Sequence, residues 1–178
     1  KFIFFSKIHE SKNLITLVKL WEKSIFLKRF NLDIFGEIDN DNYFSKVNEF
    51  IHRNKNIQYL GPLNKKIQQK LSKYDVFIHP SKSENFGLVI YEALSSGLFL
   101  ILNKDLKKKE LNANSFAKNI NFNQKSLDKI IKQILKKKNY IKSLEYKKKC
   151  LKFIKVNYDW NVIANDYLKK YLNLVDNI

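Results

Sequence analysis

Two carboxylates, Glu84 and Glu92, stand with seven residues between them in a stretch, residues 81–97, that reads SKSENFGLVIYEALSSG. They flank the Phe86-Gly87 step, where polar loop gives way to an apolar helical pattern. The segment before, YDVFIHP at 74–80, reads as a buried strand, and LFLIL at 98–102 reads as another. A strand that exits into a loop and opens a helix at Gly87 aims free backbone N–H groups and the positive end of the helix dipole at one spot, which suits a phosphate. Glu84 belongs to the loop and Glu92 lies one to two turns inside the helix. Carboxylates beside a phosphate cradle suit hydroxyls, so the ligand with the right chemistry is a sugar nucleotide. Lys7 and Lys12 bracket the loop after the first strand, at the carboxyl edge where open α/β sheets bind ligands.

Alternating apolar strands and amphipathic helices must hold these groups, and the alternation predicts an α/β fold, a parallel sheet with helices on both faces. Strands are expected at the apolar start (1–5), at 30–35, 56–60, 74–80 and 98–102, and a short one at 117–122. After the first strand Leu14, Leu17, Val18, Trp21 and Ile25 recur at helical spacing, with Ser11 as the expected N-cap. Further helices are expected at 43–53, burying Phe44, Val47, Phe50 and Ile51, and at 64–73, with Ile67 and Leu71 inward. Another places Leu127, Ile130, Ile131, Ile134 and Leu135 on one stripe. A single helix is expected over 140–155, with Ile141, Leu144, Leu151 and Ile154 inward. The last runs from Trp160, with Ile163, Ala164, Tyr167, Leu168, Tyr171, Leu172 and Val175 on one face.

Composition bounds the function classes. The 178 residues suffice for one domain with a real core. No apolar run approaches the roughly 20 residues that span a bilayer, and no signal peptide is recognisable. Cys150 is the sole cysteine, so no internal disulfide forms and a cytoplasmic location is the default. His9, His52 and His79 are scattered and build no metal cluster. The 34 basic residues outnumber the 17 acidic ones, but only Arg29 and Arg53 are arginines, the residue that nucleic-acid sites favour for planar contacts. Lys, Asn and Ile are abundant together, as AT-rich coding would produce. Nucleic acid is therefore set aside, and an anionic membrane surface fits the charge better. The lysine runs at 107–109, 136–138 and 147–149 read as solvated faces. Met is absent even at position 1 and the chain opens inside an apolar strand, so the expectation is a fragment.

Residues 81–97 also resemble the PS-x-x-E-x-FG-x-x-x-x-EA-x-x-x-G signature of family 4 retaining glycosyltransferases, in the donor-binding C-terminal half of the GT-B fold. Nearly the whole chain fits that half. Phe4-Phe5-Ser6-Lys7-Ile8 through Asn13-Leu14 is similar to its first strand and phosphate loop. Phe35-Gly36-Glu37 and Tyr59-Leu60-Gly61-Pro62 are similar to its next strand ends, and Tyr158-Asp159-Trp160 to the start of its C-terminal helix. The resemblance implies a Rossmann-like domain over 1–157 and a C-terminal helix over 158–178 that packs toward an N-terminal GT-B domain.

The same likeness implies transfer of a sugar from a nucleotide-diphosphate sugar to a glycan or lipid-linked acceptor, without cofactor or metal. Glu84 is then the catalytic carboxylate, holding the donor sugar's hydroxyls and steadying its cationic state. Glu92 holds the ribose hydroxyls, Lys7 and Lys12 grip the diphosphate, Phe86, Gly87 and Leu88 contribute backbone N–H groups, and Asn85 completes the donor site. Lys7 departs from the family's usual Arg, and Phe99 stands where Pro is common. The loop at 103–109 lacks the small residues that approach a donor. A nucleotide-sugar epimerase, or a non-catalytic basic module on membranes or nucleic acid, remains an alternative.

Overall fold

The computed structural model describes residues 1–63, 69 and 71–175. In chain order its elements are β1 (Phe2–Phe5), α1 (Leu14–Lys23), β2 (Leu32–Phe35), α2 (Asp41–Arg53), β3 (Ile57–Tyr59), β4 (Val76–His79) and α3 (Leu88–Ser95). There follow β5 (Phe99–Asn103), α4 (Lys109–Ala113), β6 (Ala117–Ile120), α5 (Gln124–Lys136), α6 (Lys138–Lys142), α7 (Leu144–Tyr158) and α8 (Trp160–Val175). The strands form one parallel sheet in the order β3-β2-β1-β4-β5-β6.

β1, β4 and β5 are buried along their whole length, as their largely apolar runs require of strands covered on both faces. α1 buries Leu14, Leu17, Val18 and Trp21 and touches α5, which buries Leu127, Ile130, Ile131 and Ile134. α3 is apolar nearly all round because it is packed between the sheet and α7. The expected α/β architecture, with its amphipathic C-terminal helix, is what forms.

Order reverses between β1 and β4: the chain leaves β1 toward β2 and β3, then returns to the other side of β1. Loops after β1 and β4 therefore diverge and leave a crevice at their carboxyl ends. One glycine shapes that edge. A Cβ at Gly36 would stand 1.8 Å from the Ser6 carbonyl oxygen, so the loop after β2 lies directly on the loop after β1. The two continue side by side through the parallel bridge Ile8–Ile38.

Several local expectations are corrected. Ser11 sits inside a short 3-10 turn, Glu10–Lys12, and Asn13, left-handed at φ 55°, is the N-cap of α1. Helix α1 ends at Lys23, so Ile25 falls beyond it and is exposed. Residues expected as one helix over 140–155 form two, because Ser143 turns extended and its side chain accepts from the Tyr146 N–H, capping a new helix. That re-phasing leaves Leu144 and Leu151 exposed and buries Tyr146 and Cys150 instead. Phe44, Phe50 and Ile51 of α2 are only partly buried; Tyr43 and Val47 are its core residues. The helix expected over 64–73 lies mostly outside the described residues, although Leu71 is buried.

Candidate functional site

At the crevice, loop geometry comes first. The Pro80 carbonyl, just past β4, accepts from Asn13 Nδ2 at 3.3 Å and from Asn103 Nδ2 at 3.2 Å. Buried Ser81 lies with Oγ 2.8 Å from the Ser83 carbonyl and 3.2 Å from that of Ser11. The strand exits of β1, β4 and β5 are thus tied into one rigid floor. Tyr43 adds a support: its hydroxyl accepts from the Ile15 N–H at 3.0 Å, one of the donors left over in the first turn of α1.

On that floor sits Glu84. Its Oε1 accepts from Lys12 Nζ at 2.8 Å and lies 2.7 Å from His79 Nε2. The Glu84 side chain is 10% exposed, Lys12 20% and His79 not at all. Burial pushes the Glu84 carboxyl up, but the hydrogen bonds from His79 and Lys12 and their charge outweigh it and hold the carboxyl at about 2. Burial lowers His79, against the pull of Glu84. A neutral imidazole beside an ionised carboxylate must carry its proton on Nε2, leaving Nδ1 as an acceptor without a partner among the described residues in a ring stacked on Phe4 and Phe77. Lys12 is left with donors to spare, since one ammonium supplies three.

Beside Glu84 the chain turns into α3. Gly87 is left-handed at φ 75°, and a Cβ there would press on Ile90 Cδ1 at 3.1 Å and meet Glu84 Cβ at 3.5 Å. Glycine thus lets the backbone pass close to Glu84. The N–H groups of Phe86, Gly87 and Leu88 donate to no other group among the described residues, so the start of α3 presents open donors and the positive end of its dipole. Glu92, in the second turn, is half-buried; burial raises its carboxyl, and among the described residues no donor reaches that carboxyl.

Ionised acid, spare ammonium and open amides at a topological switch point together form a site for an anionic, hydroxylated ligand. Residues 1–155 match the family described as Glycosyl transferases group 1. The chain belongs to the group 1 glycosyltransferases. Its fold is that of the C-terminal domain of their GT-B architecture. Among solved structures it is similar to a glycosyltransferase from Rickettsia africae ESF-5, at 20% identity and a TM-score of 0.82, covering 99% of this chain and 48% of that one. It is also similar to Alr3699/HepE from Anabaena, solved with UDP and glucose, at 19% identity and a TM-score of 0.74, covering 97% and 47%. A third likeness is the catalytic domain of cholesterol-alpha-glucosyltransferase from Helicobacter pylori, at 18% identity and a TM-score of 0.62, covering 85% and 97%. The chain spans about half the length of the first two. No curated protein matches it in sequence.

Within this glycosyltransferase domain the structure brings Lys12, Glu84 and Gly87 together, and Phe86 and Leu88 border them. Asn85 is exposed at the loop tip. Lys7 does not reach Glu84: its Nζ pairs with Asp39 Oδ1 at 2.5 Å, on the loop after β2. The Lys7 hydrogen bond holds the exposed Asp39 carboxyl below its usual value.

Three contributors escape a reading of the sequence. His79 is the buried donor to Glu84, although a histidine at the end of an apolar run reads as an ordinary core residue. Asp39 carries no motif. Lys108, in a run expected to be solvated, donates to the Phe86 carbonyl at 2.9 Å and to the Tyr91 hydroxyl at 3.0 Å. It thereby fastens the loop after β5 to the start of α3. The Phe86 ring packs on Tyr91 and Tyr158, with centroids 5.2 and 6.4 Å away.

Proposed function

We propose that this domain binds the donor for a retaining, metal-independent hexosyltransferase, which moves a sugar from a nucleotide-diphosphate sugar to a glycan or lipid-linked acceptor in surface polysaccharide or lipopolysaccharide synthesis. The observation that carries the reading is the ionised Glu84, fixed by Lys12 and His79 beside the open amides of α3. As the glycosidic bond breaks, charge builds on the departing diphosphate, and preorganised donors lower that barrier most. Lys12 and the Phe86–Leu88 amides supply them at one end, and Lys7 meets the diphosphate from the β1 loop. At the other end Glu84 accepts from the sugar hydroxyls and faces the positive charge on the ring.

Glu92 is the acceptor for the ribose diol, a charge-assisted contact open to a carboxylate that no donor among the described residues occupies. The Anabaena neighbour, solved with UDP and glucose, supports a uridine nucleotide as the donor. No resident metal is required in this scheme. Among the described residues no three His, Cys, Asp or Glu side chains gather as a ligand set.

α8 fits the same reading. It buries no residue, and Trp160, Tyr167 and Tyr171 are each at least 65% exposed, a face suited to a companion N-terminal domain that brings the acceptor. No described helix is long and apolar enough to cross a membrane. A lipid-linked acceptor would instead place the enzyme peripherally, at the cytoplasmic face of an anionic inner membrane.

Stereochemistry tests the proposal. With an α-linked UDP-hexose as donor, the longer protein that carries this domain is expected to give an α-linked product by NMR, without added divalent cation. A β-linked product, or free sugar and no acceptor product, would overturn it.

A further inference from the structure

The opposite edge of the sheet holds a second concave feature, unrelated to the donor crevice. There the first residue of β5 and the turn before β6 meet α5, α6 and α7 around a cavity of about 390 Å³, within the size range of small-molecule sites. Its floor is apolar: Phe99, Ile130, Ile134 and Ile141 line it, and all four are buried. Its rim is cationic: Lys118, Lys136 and Lys137 line it and no carboxylate does. None of the three ammonium groups has an ion-pair or hydrogen-bond partner among the described residues.

Tyr146 also lines the cavity, with 1% of its surface exposed. Its hydroxyl is buried and has no hydrogen-bond partner among the described residues. A buried hydroxyl normally finds a partner, so Tyr146 offers a neutral donor with capacity to spare. Lysines cluster widely in this chain, but here three surround an apolar hollow and a buried donor, rather than a convex helix face.

We propose that this cavity binds a single-chain alkyl phosphate, its chain on the apolar floor and its phosphate on Lys118, Lys136 and Lys137. Phosphate is the better match because three lysine point charges suit a dianion, and no arginine fork is present to grip a planar carboxylate. The carbon chain is needed because three surface lysines alone hold inorganic phosphate poorly in water.

Calorimetric titration of the 178-residue chain with octyl phosphate, octanol and inorganic phosphate tests this. Octyl phosphate is expected to bind at one site per chain, at least about tenfold more tightly than either partial ligand. Lys118→Gln and Lys137→Gln should each weaken it about tenfold, the loss of one charged hydrogen bond. Both variants should keep the fold by circular dichroism, and binding of UDP in the donor crevice should be unchanged in them. Several outcomes would overturn the proposal: octyl phosphate binding no tighter than octanol, equal binding by the lysine variants, or capture of anionic vesicles without any binding of octyl phosphate.

Discussion

Glu84→Gln is expected to lower the unfolding free energy at neutral pH by about 3 kcal/mol, the scale for breaking a largely buried ion pair while leaving one charge behind. The amide keeps the shape but removes the anion, so Lys12, its side chain only 20% exposed, is left without its Glu84 counter-charge, and His79 Nε2 loses its ionic acceptor. The pH profile identifies the cause. Glu84 is depressed from 4.5 to about 2 on folding, so its contribution is present above pH 4.5 and is lost as pH falls through 2. A shift of that size corresponds to roughly 3 kcal/mol.

His79 is also depressed, by burial, so its contribution is present above its ordinary value of 6.5 and falls away below it. The wild-type chain should therefore lose stability on acidification in two stages, and Glu84→Gln should lack the lower one. In the longer protein the same change should slow sugar transfer about 100-fold or more, the scale for removing one preorganised group that meets developing charge. Urea denaturation across a pH series checks the first claim. An unaltered acid limb in the variant would remove Glu84 from the centre of the site.

Glu92→Gln should act in the opposite direction on the fold. Its carboxyl is raised by burial, and no donor among the described residues compensates. The ionised form is therefore disfavoured in the folded state, and the penalty is felt above its raised titration point and relieved below it. Removing the charge should stabilise the chain at neutral pH by about 0.5–1 kcal/mol, like other stabilising changes at functional positions. The same change should weaken UDP binding about 10- to 100-fold, the loss expected for hydrogen bonds to a charged group. Discrimination between UDP and its 2′-deoxy analogue should collapse with it. A residue whose removal strengthens the fold and weakens binding is retained for the ligand. If Glu92→Gln is neutral for UDP, the carboxylate is an ordinary helix surface group.

Both effects trace to features with very different visibility in the sequence. The sheet was legible because VFI at 76–78 and FLIL at 99–102 are unbroken apolar runs, as strands covered on both faces show. Spacing alone placed Glu84 in the loop and Glu92 in the second turn of α3, since Gly87 marks the start of a helix. Partnership was not legible. The Lys12–Glu84 contact joins residues 72 positions apart and that of Lys7 with Asp39 joins two loops, so each depends on how β1, β2 and β4 are ordered.

The role of His79 is hidden in the sequence for a related reason. Its period-2 position after Phe77 reads as core, and core it is, yet Nε2 emerges at the strand end where Glu84 folds back. Ser143 misled through helix phase: one serine in a lysine-rich amphipathic run looks like a tolerated interior residue, whereas its side chain caps a new helix and shifts the buried stripe onto Tyr146 and Cys150. Lys108 was hidden by its lysine neighbours on either side, identical in type and solvated.

The most direct measurement is an amide chemical-shift map of the chain titrated with UDP. The account predicts saturable shifts that cluster at residues 6–13, 80–88 and 92, with the Phe86, Gly87 and Leu88 amides moving most. Shifts scattered over the sheet, confined to its opposite edge, or absent at high UDP would contradict it.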